Sequence, residues 1–129
     1  MSSGSSSRRA DELAAALRGV LLDPHEASAL DVHGRTDAAV LVPLFVGDDG
    51  EPHLVFTRRR DDLRRHAGEI SFPGGRRDEG EALVDTALRE AHEEVGLPPE
   101  AVRLLGALPP TPTFVSNYAI YPFVGVIEA

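Results

Sequence analysis

Residues 72–97 read FPGGRRDEGEALVDTALREAHEEVGL, and this stretch decides the fold. A Pro73-Gly74-Gly75 turn leads through a charged loop into a helical pattern. Leu83, Val84, Ala87, Leu88, Ala91 and Val95 fall on one stripe at helical spacing. Gly96 stands where a helix takes a left-handed C-terminal residue, and Pro98 follows it. The expectation is a helix over residues 81–95 carrying four glutamates: Glu81 early, then Glu90, Glu93 and Glu94. The last three are spaced i, i+3, i+4, so their side chains lie close together. Like charges at that spacing cost an ordinary helix about 0.2–0.5 kcal/mol per pair. Such a helix is either a solvated surface or a cation site. On a wheel of about 100° per residue, Glu90 and Glu94 flank the apolar stripe and Glu93 lies further round. A purely solvated face would centre them opposite the stripe.

Upstream, AAVLVPLFV at residues 38–46 is a short apolar run with β-branched content, hence a buried strand. Pro43 inside it predicts an edge position or a bulge. The turn Gly47-Asp48-Asp49-Gly50 leads to HLVFT (53–57), the returning strand of a hairpin. The charged segment RRRDDLRRHAGE is longer than a tight turn, and such loops often carry function. Ile70-Ser71-Phe72 is expected as a short strand. Nearer the start, DELAAALRGVLL (11–22) has helical spacing at Leu13, Leu17, Val20 and Leu21, with Pro24 as its stop, followed by a polar loop over residues 25–37 that holds His25 and His33. The Ser/Gly-rich residues 1–9 are expected as a flexible leader ahead of one domain over residues 10–129. Downstream, AVRLLGAL (101–108) and AIYPFVGVI (119–127) read as strands joined by a Pro-rich loop.

The 129 residues fit one domain with a modest core. No apolar run approaches a membrane span, and the N-terminus lacks an apolar signal region. The chain has no cysteine, which removes disulfides and thiolate metal sites and fits a cytoplasmic protein. Its net charge of −8 argues against general nucleic-acid binding. All thirteen basic residues are Arg, and seven of them fall between Arg58 and Arg77. This clustering is informative because arginine forks match phosphate oxygens bidentately. The short chain is also compatible with self-association as a homodimer.

At these positions the sequence resembles the Nudix hydrolases. Their signature is Gly, five residues, Glu, seven residues, Arg-Glu, an aliphatic residue, any residue, Glu-Glu, any residue, Gly, an aliphatic residue. Here those places are taken by Gly75, Glu81, Arg89-Glu90, Ala91, Glu93-Glu94, Gly96 and Leu97. The upstream residues Val55-Phe56-Thr57, Arg59, Arg64, Gly68 and Phe72-Pro73-Gly74-Gly75 are similar to the pattern of the coenzyme A pyrophosphatase branch, with Val-Phe for Leu-Leu and Arg60 in place of Ser or Ala. The resemblance covers residues 38–127. It implies an α/β fold, the Nudix α/β/α sandwich with a mixed sheet, here lacking the further C-terminal helix with which family members usually close.

The resemblance also implies a substrate with a diphosphate linked to another moiety, and hydrolysis of coenzyme A or its derivatives to 3′,5′-ADP and 4′-phosphopantetheine. The alternatives are a Nudix diphosphatase for ADP-ribose or a dinucleoside polyphosphate, or a non-catalytic nucleotide-binding module. Mg²⁺ or Mn²⁺ suits an all-oxygen site and bridges to phosphates. Glu90 and Glu94 are the expected principal ligands, Glu93 supports them, and the Gly75 carbonyl is a further ligand by family analogy. Mutual repulsion should raise the pKa of at least one glutamate. Glu81 would orient or deprotonate the attacking water. By resemblance, Arg89 orients the glutamates through a salt bridge, and Arg59 and Arg64 hold substrate phosphates. Gly74 and Gly75 would allow positive φ and close approach to metal or phosphate. Phe72 is expected to pack in the core rather than stack on a base.

Overall fold

The computed structural model describes residues 2–32, 34, 36–58, 70–112 and 117–128. Three helices, α1 (Ser2–Arg18), α2 (Pro24–Ser28) and α3 (Leu83–Val95), accompany eight strands: β1 (Thr36–Val46), β2 (Pro52–Leu54), β3 (Thr57–Arg58), β4 (Ile70–Ser71), β5 (Gly74–Arg76), β6 (Val102–Ala107), β7 (Thr111–Pro112) and β8 (Tyr118–Ile127). The main sheet runs β2-β1-β8-β6, with β5 also paired to β1 and β7 to β8. It is mixed: β1 and β8 are parallel, from Thr36 opposite Tyr118 to Leu44 opposite Val126, and every other pair in the sheet is antiparallel. β3 and β4 form a separate two-stranded ribbon.

The long central strands are apolar on both faces because each face is covered by a helix. Odd positions Ala39, Leu41, Tyr121 and Phe123 pack with Leu83, Ala87 and Ala91 of α3 and with Ala27 of α2. Even positions Val124 and Val126 pack with Ala14 of α1 and with Leu105, flanked by Leu17, Val42 and Leu44. Phe123, Leu41 and Val126 are completely buried, and each such side chain contributes about 1.5–3 kcal/mol. This is the expected α/β/α sandwich around a mixed sheet.

Several local expectations change. Residues 2–9, read as a flexible leader, belong to α1. Once DELAAALR has nucleated a helix, each added residue is ordered for one further hydrogen bond. Arg9 also pairs with Glu12 at 3.1 Å and donates to the Gly50 carbonyl. The helix stops at Arg18, not Leu22; Leu22 exchanges two backbone hydrogen bonds with Ala107, 2.9 and 2.8 Å, beside β6. Pro24, expected as the stop of the first helix, instead starts the second. The Asp23 carboxylate caps α2 by accepting from the N–H groups of His25 and Glu26, with Pro24 in the first turn.

Pro43 is neither on an edge strand nor at a bulge. β1 is central, but its side facing β5 and β2 is divided between them, at residues 38–40 and 44–46. The Pro43 carbonyl accepts from Val55 N–H on that side, so its missing donor falls in the gap between the two partners. Gly74 and Gly75, expected in a turn, are strand residues without positive φ. The helix does end as expected, with Gly96 left-handed at φ 72° and donating to the His92 carbonyl. Among the described residues, no helix is long and apolar enough to cross a membrane.

Candidate active site at the junction of a helix and a short strand

Small side chains bring α3 against β5. A Cβ built on Gly74 would lie 2.5 Å from the Ala39 carbonyl oxygen and 2.8 Å from the Val40 Cα, so this glycine is required by backbone proximity. A Cβ on Gly75 would meet the Glu90 carboxyl group at 2.5 Å. Glycine at 75 therefore leaves room for a carboxylate rather than for an unusual backbone angle. β5 is tied to α3 at its other positions too: the Gly74 N–H donates to Glu94 Oε2 at 3.2 Å, and Arg89 Nη2 donates to the Arg76 carbonyl at 3.2 Å.

Arg89 organises the carboxylates. Its Nε and Nη2 make a bidentate pair with Glu81, 2.8 Å to Oε2 and 3.0 Å to Oε1. Its Nη1 reaches Glu90 Oε1 at 3.2 Å and Glu93 Oε2 at 3.2 Å, and Nη2 comes within 3.5 Å of Asp78. Glu81 Oε1 also accepts from the Thr86 hydroxyl (2.8 Å) and the Asp78 N–H (3.1 Å). The Arg89 fork, helped by those two donors, holds the Glu81 carboxyl down at about 2. The same contacts, Glu81 foremost, raise the guanidinium above its usual range. Repulsion was expected to raise a glutamate pKa; that of Glu81 moves down instead, because the Arg89 guanidinium sits against its carboxylate.

Exposure separates Glu90 from Glu93 as the wheel predicts, but Glu94, expected beside the apolar stripe, is exposed. The Glu90 side chain is 19% exposed and Glu93 57%, while Glu94 lies at the open edge of β5. Among the described residues, no group of three or more acidic or histidine side chains is arranged to hold a metal ion. An open Mg²⁺ site needs only one or two carboxylates, with waters and phosphates completing the shell. The donor set fits that: Arg89 contacts four acidic side chains, Glu81, Glu90, Glu93 and Asp78, and its single charge offsets only one of them.

The backbone direction corrects one expectation. Leu41 N–H donates to the Pro73 carbonyl and Arg77 N–H to the Asp37 carbonyl, so 41/73 and 37/77 are hydrogen-bonded pairs of an antiparallel ladder. By alternation 39/75 is another, which turns the Gly75 carbonyl toward β1. Gly74 points its polar groups the other way, as its bond to Glu94 shows. The carbonyl on the glutamate side belongs to Gly74, not Gly75.

Arg59, Arg64 and Gly68 lie outside the described residues, as do His33 and Ser116. Phe72 stacks on Phe56 with ring centroids 4.7 Å apart, and Phe56 is half exposed, so the pair is a surface ledge more than a core element. Sequence reasoning missed Thr86 and Asp78. A threonine among the Leu, Val and Ala positions of the helix was the available signal.

The NUDIX domain profile matches residues 35–124. A curated relative, an uncharacterized Nudix hydrolase NudL of Pectobacterium atrosepticum, is 50% identical over 99 residues, covering 76% of this chain and 50% of its own length. The chain thus spans about half the length of the curated relatives it matches. Among solved structures, the Nudix hydrolase RenU of M. smegmatis superposes with a TM-score of 0.62 at 22% identity, over 74% of this chain and 63% of that one. The NUDIX domain of Shewanella oneidensis NrtR, complexed with ADP ribose, gives 0.57 at 16% identity, over 84% and 73%. These two likenesses bear on the fold alone. Nudix domains bind nucleotide diphosphates, generally hydrolyse a diphosphate bond and typically depend on a divalent metal. With the profile match running through the glycines, the Arg89 cluster and the central strands, this chain belongs to the Nudix hydrolase family.

Proposed function

We propose that this chain carries the catalytic centre of a Mg²⁺- or Mn²⁺-dependent diphosphatase acting on coenzyme A or a derivative of it. The observation that carries the hydrolytic part is the Arg89 fork, which holds Glu81, Glu90 and Glu93 beside the Gly74-Gly75 backbone. Glu90 and Glu94 would hold the metal, with the Gly74 carbonyl on the same side and Glu93 in support. When bound, the metal offsets phosphate charge and lowers the pKa of water. Arg89 fixes the glutamate directions before substrate arrives, which is how a preorganised site avoids reorganisation during the reaction. A carboxylate with a pKa near 2 is a weak base, so of the two roles expected of Glu81, orienting is favoured over deprotonating. The coenzyme A assignment rests on Thr57, Arg59, Arg64, Gly68 and the Phe-Pro-Gly-Gly run, with Arg59 and Arg64 proposed on the substrate phosphates.

The test is turnover of coenzyme A, ADP-ribose and a dinucleoside polyphosphate at equal concentration, with and without EDTA. Coenzyme A should be cut fastest, giving 3′,5′-ADP and 4′-phosphopantetheine only with metal present. Full activity in Glu90→Gln combined with Glu94→Gln would remove the mechanism; preference for another nucleotide would remove the substrate assignment.

A further inference from the structure

We infer that Thr86 is a positioning residue for this site: its hydroxyl fixes Glu81, and through Glu81 it fixes the Arg89 fork that aims Glu90 and Glu93. This rests on the metal-site part of the reading above, not on the choice of substrate. Thr86 is the one polar residue among the described buried ones and is completely shielded from solvent. A β-branched residue in mid-helix has no advantage over Ala in propensity, and α3 uses Ala or Leu at its other buried positions. The hydroxyl has one proton to give. It lies 2.8 Å from Glu81 Oε1 and 3.3 Å from the Ala82 carbonyl. The shorter, charge-assisted bond is the stronger.

The consequence is rotational. Glu81 Oε1 takes three donors, from Thr86, the Asp78 backbone and Arg89 Nη2, while Oε2 takes Arg89 Nε. The Asp78 donor sits on an exposed loop; Thr86 is the donor anchored in the core. Without it, the Glu81 carboxylate can swing about its last bond and the guanidinium plane swings with it. Nη1 then no longer holds Glu90 Oε1 and Glu93 in their present directions. Residue 86 occupies one of the seven unspecified places of the signature, so the family pattern does not itself require a hydroxyl here.

The experiment uses the full chain and Mn²⁺ alone, read by electron paramagnetic resonance, with thermal melts in parallel. Thr86→Val keeps the shape and removes the hydroxyl, Thr86→Ala removes it with a different shape, and Thr86→Ser keeps it. Losing a partner bonded directly to a ligand costs about 10–100-fold in metal affinity; from one bond further out, Val and Ala should each weaken Mn²⁺ binding roughly three- to tenfold, with Ser within about twofold of the parent. Parental affinity in Val or Ala overturns the inference, as does a Ser variant as weak as Val. A parent chain that binds no Mn²⁺ overturns it together with the metal site. Mn²⁺ binding with the expected variant pattern, but no coenzyme A turnover, supports it and sinks only the substrate assignment.

Discussion

The two faces of the central sheet are packed in different ways. On the α3 face six of the ten buried residues are alanines: Ala27, Ala39, Ala87, Ala91, Ala107 and Ala119. On the α1 face only Ala14 of four is, and Leu105, Val124 and Val126 fill the space. Alanine lets backbones approach, and the α3 face uses this to put the Glu90 carboxyl where a Gly75 Cβ would be. The α1 face has no such partner to place and fills its volume with branched side chains. One face thus fixes a distance, and the other contributes burial.

Neighbouring glycines give the sharpest way to break that distinction. Gly75→Ala puts a methyl group against the end of a flexible side chain, which can move. Stability should change by no more than about 1 kcal/mol, while the Glu90 carboxylate is displaced by roughly 1 Å and turnover falls about 100-fold. Gly74→Ala meets the backbone of Ala39 and Val40 instead, so it should also cost about 1–3 kcal/mol of stability by overpacking and lower the melting temperature accordingly. Equal melting losses in the two variants would mean that Gly75 is structural after all.

The faces themselves can be exchanged next. Ala91→Leu on α3 should cost about 1–3 kcal/mol by overpacking and weaken metal binding in the fraction still folded. Val126→Ala on the α1 side should cost about 2 kcal/mol through its cavity and leave metal affinity unchanged. Urea melts and Mn²⁺ titration together read both effects. If Val126→Ala also loses metal affinity, the division of labour between the faces is wrong.

How much of this was legible depends on how local each determinant is. The α3 stripe, the Gly96 cap and the apolar runs of β1 and β8 are short-range patterns, and they stand where periodicity puts them. β5 was read as a turn because Pro-Gly-Gly is a turn sequence. It is a strand because β1, some thirty-five residues earlier, supplies a ladder for it. Asp23-Pro24 did carry a readable cap and first-turn pair, obscured by taking proline only as a stop. The glutamate cluster was visible from spacing, whereas the pull of Arg89, Thr86 and Asp78 on Glu81 depends on side-chain directions no spacing gives. Even the carbonyl on the glutamate side moved by one residue, from Gly75 to Gly74, because ladder phase belongs to a strand pair and not to one segment.

Acid sensitivity separates the same two regions at smaller amplitude. Glu81 titrates near 2 in the folded chain and at about 4.5 in the unfolded chain. A depressed carboxylate stabilises the fold fully above its unfolded pKa and loses that contribution as pH falls from about 4.5 to 2. The shift corresponds to about 3 kcal/mol, discounted to about 2 for the partly solvent-facing Arg89 fork. Glu81→Gln should lower stability by about that much at pH 7 and flatten the profile between pH 4.5 and 2. Urea midpoints across that range read it; a profile as steep as the parent's would mean other carboxylates dominate.

The smallest effect belongs at the outer end of α1. Arg9 pairs with Glu12 across one helical turn, with both side chains about half exposed, and exposed pairs of this kind contribute about 0.3–0.5 kcal/mol. Glu12→Gln should therefore shift the urea midpoint by no more than that, and 1 M salt should remove the difference because screening falls to about 3 Å. Glu12 does not touch the α3 face, so Mn²⁺ affinity should stay at the parental value. A change in metal binding from this position would show the two faces to be coupled through the sheet, so that a positioning face and a filling face differ in composition only.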